Sequence, residues 1–372
     1  MSDLSLASQD PKRVMHSIIQ RIATGPELSK NISREEAYLG MKAILDGQID
    51  PIQIGIFFIA LRMKRETADE NLGVLDAILE ATQRVTAAVD DVLDIADPYD
   101  GYSRCLPAAP FLAPLMAELG VPTVSHALEA VGPKYGVTAR HVLRAAGVNV
   151  DLSPAAAAAR LSEPGLGWTY IDQAQFCPKL HDLVGVRARM VKRQVITTVE
   201  VLAQPIVGRQ RTHFVTGYVH KPYPPVYAML ARAAGFDSAL IIRGVEGGVI
   251  PSLRQPGKVF AYHDQGEEIG RDINPQDLGI AQELRAVALP GMPPGKDTVD
   301  EIATALDIPA TAQVAADAGM AALSGRRGAT YDSLVLSASL MLHHLGRAKS
   351  LAEAAEQTRA ALDTGRAAAR VK

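Results

Sequence analysis

Anion recognition is the chemistry for which the polar residues of this 372-residue chain are best placed. In DPYDGYSR, 97 to 104, the turn dipeptide Asp100-Gly101 precedes Tyr102, Ser103 and Arg104, hydroxyl and guanidinium groups of the kind that hold a phosphate. In SHALEAVGPKYGVT, 125 to 138, His126, Lys134 and Tyr135 stand beside Gly132 and Gly136. In ALIIRGVEGGVIPSLRQPG, 239 to 257, four apolar residues run into Arg243, and three glycines fall within five positions. Glycines there let backbone amides approach a phosphate, and Glu246 is the only carboxylate of RGVEGGVIP. In HDLVGVRARMVKRQV, Arg187, Arg189, Lys192 and Arg193 face one acid, Asp182, and Arg209 and Arg211 follow: six cations within 25 positions. Arginine forks match carboxylate and phosphate bidentately. On a continuous helix Arg189 and Arg193 share one face and Arg187 lies elsewhere.

Several other chemistries are excluded. There is no Walker loop, HExxH, GxSxG or CxxC, and GVEGG lacks the spacing of a dinucleotide fingerprint. Net charge is −3 with 21% charged residues, so any attraction to phosphate must be local rather than global. Aromatic residues are only 5%, which argues against a base-stacking surface. The two cysteines, Cys105 and Cys177, are too few for a disulfide framework and fit a reducing compartment. MSDLSLASQDPKR has no apolar core of a signal peptide, and the longest apolar run, PIQIGIFFIAL (51–61), falls short of the ~20 residues of a membrane span.

The elements that must position these residues change character near residue 90. Before it, Ser33 with Glu36 reads as a capping box, Asp50-Pro51 as a helix start and Thr67 as another. Residues 1 to 12 read as a loose tail and 13 to 88 as a small helical domain. Its second helix is apolar on nearly every face, which predicts burial in a bundle or a dimer interface. From 89 to 372 the spacing predicts an α/β domain. VPTVSH (121–126), THFVTGYVH (212–220), SALIIRG (238–244) and KVFAYH (258–263) read as strands. APFLAPLMAELG, TARHVLRAAG, VRARMVKRQVITTVEVLA and PPVYAMLARAAG read as helices between them. That alternation predicts a mainly parallel sheet covered on both faces, with ligand sites beyond the carboxyl ends of its strands. TVDEIATALDI, TYDSLVLSASLMLHHLG and SLAEAAEQTRAALDTGRAAARVK read as closing helices.

SREEAYLGMKAILDGQIDPIQIGIFFIALRMKRETADENLGVLDAI resembles the N-terminal helical domain of anthranilate phosphoribosyltransferases and related nucleoside-phosphorylase-like members of glycosyltransferase family 3. GFDSALIIRGVEGGVIPS resembles that family's strand and glycine turn, INPQDLGI its Pro-Glu-Asp-x-Gly element, and SLAEAAEQTRAALDTGRA its C-terminal helix. The resemblance implies a phosphoribosyltransferase-like fold, a cytoplasmic homodimer formed through the small domain, and pentosyl transfer as the chemistry of any catalysis. It also implies losses. The diphosphate loop, Gly-Thr-Gly-Gly-Asp, falls on DPYDGYSR, of which Asp100 and Gly101 echo it, and Lys-His-Gly-Asn falls on SHAL, which keeps His126. The metal-binding acid pair falls on Val249 and Ile250, which supply no oxygen ligand for Mg²⁺. The arginine that grips anthranilate matches Arg187. Arg243, Gly244, Glu246 and Gly247 resemble the R-G-x-E-G turn of a YbiB-type branch associated with nucleic acid. The leading expectation is a protein that binds a phosphorylated or anionic ligand in the interdomain cleft, with the standard transfer lost. The alternatives are a non-enzymatic nucleic-acid-binding homodimer that uses the basic patch, and anthranilate phosphoribosyl transfer in tryptophan biosynthesis.

Overall fold

Ser33 and Thr67 each start a helix by a reciprocal cap. Ser33 Oγ accepts the Glu36 N–H at 3.2 Å while Glu36 accepts the Ser33 N–H at 2.9 Å, and Thr67 and Glu70 repeat the exchange at 3.3 and 2.8 Å. Asp50 caps the helix that Pro51 opens. The computed structural model, which describes residues 10–25, 27–290 and 306–371, thus begins with four helices: α1 (Pro11–Ile22), α2 (Arg34–Leu45), α3 (Pro51–Lys64) and α4 (Ala68–Ala81). Of the expected loose tail, residues 1–9 lie outside the described residues, and residues 10–12 instead open α1, which Asp10 caps. Gly73 lets α2 and α4 touch: a Cβ there would lie 2.2 Å from the Arg34 carbonyl oxygen. Helix α3 buries Ile54, Phe57, Phe58 and Leu61 inside the bundle. Its outer face carries Ile52 and Met63, 75% and 77% exposed, with Ile56 at the border.

Beyond α4 the described residues build nine strands. β1 (Val85–Thr86) pairs with β5 (Ile206–Val207) in a minor sheet. The main sheet runs β4 (Trp168–Asp172), β3 (Thr123–Ala127), β2 (Asp91–Ala96), β6 (Arg211–Tyr218), β7 (Ser238–Arg243), β8 (Gly257–His263), β9 (Ile269–Ile273). Its first five strands are parallel and β8 and β9 antiparallel, a mainly parallel sheet as the alternation predicts. The pattern did not disclose β2, β4 or β9. β2 holds Asp91 and Asp94, which strands disfavour, yet it lies between β3 and β6.

The predicted long helix over 186–203 is three pieces. Val184–Met190 ends where Val191 turns left-handed (φ 61°), and the chain resumes helically at Ile196–Val199 and Glu200–Leu202. The first of these pieces packs on α3 and the second on α4, so this segment lies against the helical bundle. Of the closing helices, TVDEIATALDI lies largely outside the described residues; Ile308–Leu323, Ala329–His344 and Leu351–Asp363 follow. The loops after β2, β3, β6 and β7 gather at the carboxyl edge of the sheet, where a ligand site was expected.

At the opposite edge, Ser238 Oγ bridges His213 Nδ1 (2.8 Å) and His344 Nε2 (2.9 Å), and His263 stacks on His344. Burial, reinforced by His263, His213, His343 and Arg271, pushes His344 down to about 3. The unfolded chain takes up a proton at His344 near pH 6.5 that the folded chain refuses until about pH 3, so this contribution to stability is complete above pH 6.5 and declines as pH falls through that window. The slope is about 1.4 kcal/mol per pH unit. His344→Gln, which keeps a group for Ser238, should flatten the loss of denaturation free energy between pH 6 and 4 relative to the native chain.

Candidate anion-binding site

The loop after β2 folds under its own turn. Asp97 accepts the Tyr102 hydroxyl at 2.7 Å and the Val249 N–H at 3.2 Å, which ties the loop after β2 to the turn after β7. Burial pushes Asp97 up to about 6, and those two donors and Lys134 oppose the shift. The contact is close because residue 248 is glycine: a Cβ there would fall 1.8 Å from the Tyr102 hydroxyl oxygen. Asp100, next along, is buried and doubly paired, with Lys134 Nζ at 3.1 Å and Arg193 at 2.9 Å. Gly101 is left-handed (φ 71°) and lies against Gly136.

The same loop turns the backbone N–H groups of Ser103 and Arg104 toward one carboxylate, that of Glu246. Ser103 N–H reaches Oε2 at 3.1 Å and Arg104 N–H reaches Oε1 at 2.8 Å. The Ser103 hydroxyl (3.4 Å) and the Cys105 thiol (3.3 Å) add weaker contacts. Lys134 Nζ donates to the Glu246 carbonyl at 3.2 Å and stands 3.8 Å from its carboxylate. Asp100, Gly101, Tyr102, Ser103, Arg104, Lys134 and Glu246 are therefore one constellation, but Glu246 acts in it as the anion.

Other expected site residues lie elsewhere. His126 is fully buried: Nε2 meets Asp94 at 2.7 Å and Nδ1 meets the Tyr99 hydroxyl. It braces β2 against β3. Tyr135 is 41% exposed and reaches the Ala188 carbonyl at 3.5 Å. Arg243 ends β7 on the surface.

The six-cation cluster does not survive folding as one patch. Arg187 is fully buried and forks onto Glu200 at 2.7 and 2.6 Å, with Nε donating to Gln194 at 3.2 Å and Gln173 also donating to Glu200. Arg211 begins β6 and pairs with Asp91, and Arg209 precedes it; both sit at the amino edge of the sheet, an eight-residue strand from the site, roughly 26 Å at 3.3 Å per residue. Arg189, Lys192 and Arg193 stay exposed at the carboxyl edge. Arg189 and Arg193 do not share a helical face, because Val191 breaks the helix between them. Arg104, Lys221 and Arg243 extend this rim, and among the described residues none of Arg104, Arg189, Lys192, Lys221 and Arg243 has an ion-pair partner.

The turn does not fit magnesium. Val249 and Ile250 are buried hydrocarbon, the Val249 carbonyl accepts the Ser337 hydroxyl at 3.1 Å, and Asp97 is committed to Tyr102 and Val249. Among the described residues no cluster of three His, Cys, Asp or Glu could hold a metal. Glu200, Gln194 and Asp97 escaped the sequence reading. The available signal was Glu200 itself, a lone acid inside the apolar run VITTVEVLA.

Residues 16–82 match the model of the glycosyl transferase family's helical bundle domain and residues 108–368 that of its a/b domain, so the chain belongs to this glycosyl transferase family. An uncharacterized protein of Aquifex aeolicus is 32% identical over 251 residues, covering 68% of this chain and 74% of that protein. The anthranilate phosphoribosyltransferase of Rhodopseudomonas palustris is 29% identical over 357 residues, 96% of each chain. The fold also matches anthranilate phosphoribosyltransferase from Saccharomyces cerevisiae in complex with PRPP and Mg (TM-score 0.74, 13% identity, 97% of this chain and 96% of that one) and the Thermus thermophilus enzyme (0.69, 19%, 95% of each).

A buried arginine with one partner removed is an uncompensated charge. Arg187→Ala or Glu200→Ala should each lower unfolding free energy in urea by about 3–5 kcal/mol, whereas the paired change Arg187→Met with Glu200→Leu should cost far less.

Proposed function

We propose that this chain is a phosphoribosyltransferase-like member of its family that binds a phosphorylated or anionic ligand at the mouth of the interdomain cleft and does not carry out magnesium-dependent anthranilate phosphoribosyl transfer. The observation that carries the reading is the fate of the cleft's charges. Val249 and Ile250 stand, buried, where the resemblance places the metal acids, and Arg187, matched to the acceptor-binding arginine, is saturated by Glu200. What stays open to solvent is the rim of Arg104, Arg189, Lys192, Arg193, Lys221 and Arg243. Pentosyl transfer requires that the departing diphosphate charge be stabilised as it develops. A rim of flexible surface cations attracts an anion without holding it at a reacting centre.

A nucleic-acid ligand would use the same rim, with Arg187, Arg209 and Arg211 subtracted from the patch. Each phosphate neutralised adds about −0.9 to the slope of log affinity against log salt. The divergent, YbiB-type placement of the Arg243–Gly247 turn supports this second reading. The negative net charge and the few aromatic residues favour a small phosphorylated ligand.

Self-association through the helical bundle belongs to the same proposal. Ile52, Ile56 and Met63 leave an apolar strip on the outside of α3, adjoining no described part of the chain that covers it. Ile56→Asp, on the strip's border, should convert a dimer to a folded monomer in light scattering; a folded variant that stays fully dimeric contradicts the interface. Phe57, fully buried within the bundle, tests folding instead.

With anthranilate, phosphoribosyl diphosphate and Mg²⁺, the chain should leave anthranilate fluorescence unchanged; turnover near 1 per second, the low end for ordinary enzymes, would refute the proposal. Thermal shift with phosphoribosyl diphosphate should exceed that with duplex DNA, and Arg189→Ala with Lys192→Ala should reduce it. A steep DNA salt slope that the double variant abolishes would instead make nucleic acid the ligand.

A further inference from the structure

The contact between Glu246 and the loop after β2 has the form of a bound ligand. Two consecutive backbone N–H groups, Ser103 and Arg104, converge on the two oxygens of one carboxylate at 3.1 and 2.8 Å, a hydroxyl supports them at 3.4 Å, and an ammonium stands 3.8 Å away. Convergent amides with a nearby lysine make a concavity for an oxyanion, and a phosphate offers the same geometry as a carboxylate with more charge. The Glu246 side chain is only 7% exposed, so its charge has left bulk water for these donors.

The backbone of Glu246 indicates that this docking is held against strain. Residue 246 sits at φ 53°, ψ 16°, a left-handed conformation that a side chain disfavours and glycine does not. Gly247 beside it is also left-handed, at φ 86°. A position that asks for glycine and carries glutamate needs a compensating contact, and the carboxylate's donors are that contact.

We propose that the Ser103–Arg104 amide pair with Lys134 is a phosphate-binding site and that Glu246 is its built-in occupant, a tethered carboxylate that keeps free phosphate and phosphate monoesters out until it swings away. The site adjoins the cationic rim, to which the Arg104 side chain belongs, and its occupancy by Glu246 leaves the open charge of the cleft mouth peripheral. The inference rests on the anion-binding reading only in supposing that a ligand approaching the rim meets this plug.

Glu246→Gly removes the carboxylate and relieves the left-handed strain, so folding should be retained; circular dichroism and the melting temperature check this. Isothermal titration with inorganic phosphate should show about tenfold or tighter binding, one site per chain, in Glu246→Gly relative to the native protein. Adding Lys134→Ala to that variant should abolish the gain. Glu246→Gln, which keeps the shape and offers only one acceptor oxygen, should fall between. A folded Glu246→Gly that binds phosphate no better than the native chain overturns the proposal, as does a gain that survives Lys134→Ala. Phosphate binding by Glu246→Gly, combined with no binding of any anion by the native protein, would uphold the plug and refute the rim as a ligand site. Strong binding of phosphoribosyl diphosphate by the native protein, unchanged in Glu246→Gly, would do the reverse.

Discussion

A charge removed from water must find donors or a counter-charge, and in this protein the chain's own carboxylates take them. Glu246 occupies the amides of Ser103 and Arg104, Glu200 occupies the fork of Arg187, and Asp100 draws in Lys134 and Arg193. Much of the site's architecture follows from these pairings. The loop after β2 lies against the turn after β7 because Glu246 and Asp97 both reach across between them. The segment 184–202 is pinned by Arg187 to Glu200, which fixes the piece that packs on α3 relative to the pieces that pack on α4. Breaking either partner of such a pair exposes the other as an unmet charge, which makes these contacts more consequential than their number suggests.

The family architecture survives this internal neutralisation because the scaffold depends on apolar burial rather than on the site. The strand cores at Leu240, Ile241 and Ile242 and the bundle face of Ile54, Phe57, Phe58 and Leu61 are independent of the loops at the carboxyl edge. Val249 and Ile250 extend that logic into the turn itself. Side chains without oxygen ligands pack there into the core beneath Asp97, and Ser337 satisfies the Val249 carbonyl. The fold is thus compatible with transfer chemistry, while the residues at its edge supply a different electrostatic environment.

The helical bundle was legible because its signals are local. Ser33 and Glu36, Asp50 and Pro51, and Thr67 and Glu70 are neighbours in sequence and do in space what their spacing says. The apolar strands β3, β6 and β7 were legible for the same reason. What the sequence concealed were partnerships over long separations. β2 reads poorly as a strand because of Asp94, whose presence makes sense only with His126 opposite it. The span 186–203 reads as one helix because nothing in its composition marks Val191 as left-handed. Arg187, Arg209 and Arg211 look like members of one cluster along the chain, but a buried pair and the length of β6 separate them from the rim. Glu246 was visible as the lone acid of its turn, yet its role as an internal anion required knowing where Ser103 and Arg104 point.

We propose that the cleft binds an anion through protein cations alone, without the metal bridge that oxygen ligands would support. Calorimetric titration of phosphoribosyl diphosphate into the native protein, in the presence of Mg²⁺ and again with the metal chelated, tests this most directly. Weak binding is expected, with an affinity the same or lower with Mg²⁺, since the ion neutralises the ligand and finds no seat on the protein. Binding that tightens by an order of magnitude only when Mg²⁺ is present would contradict it.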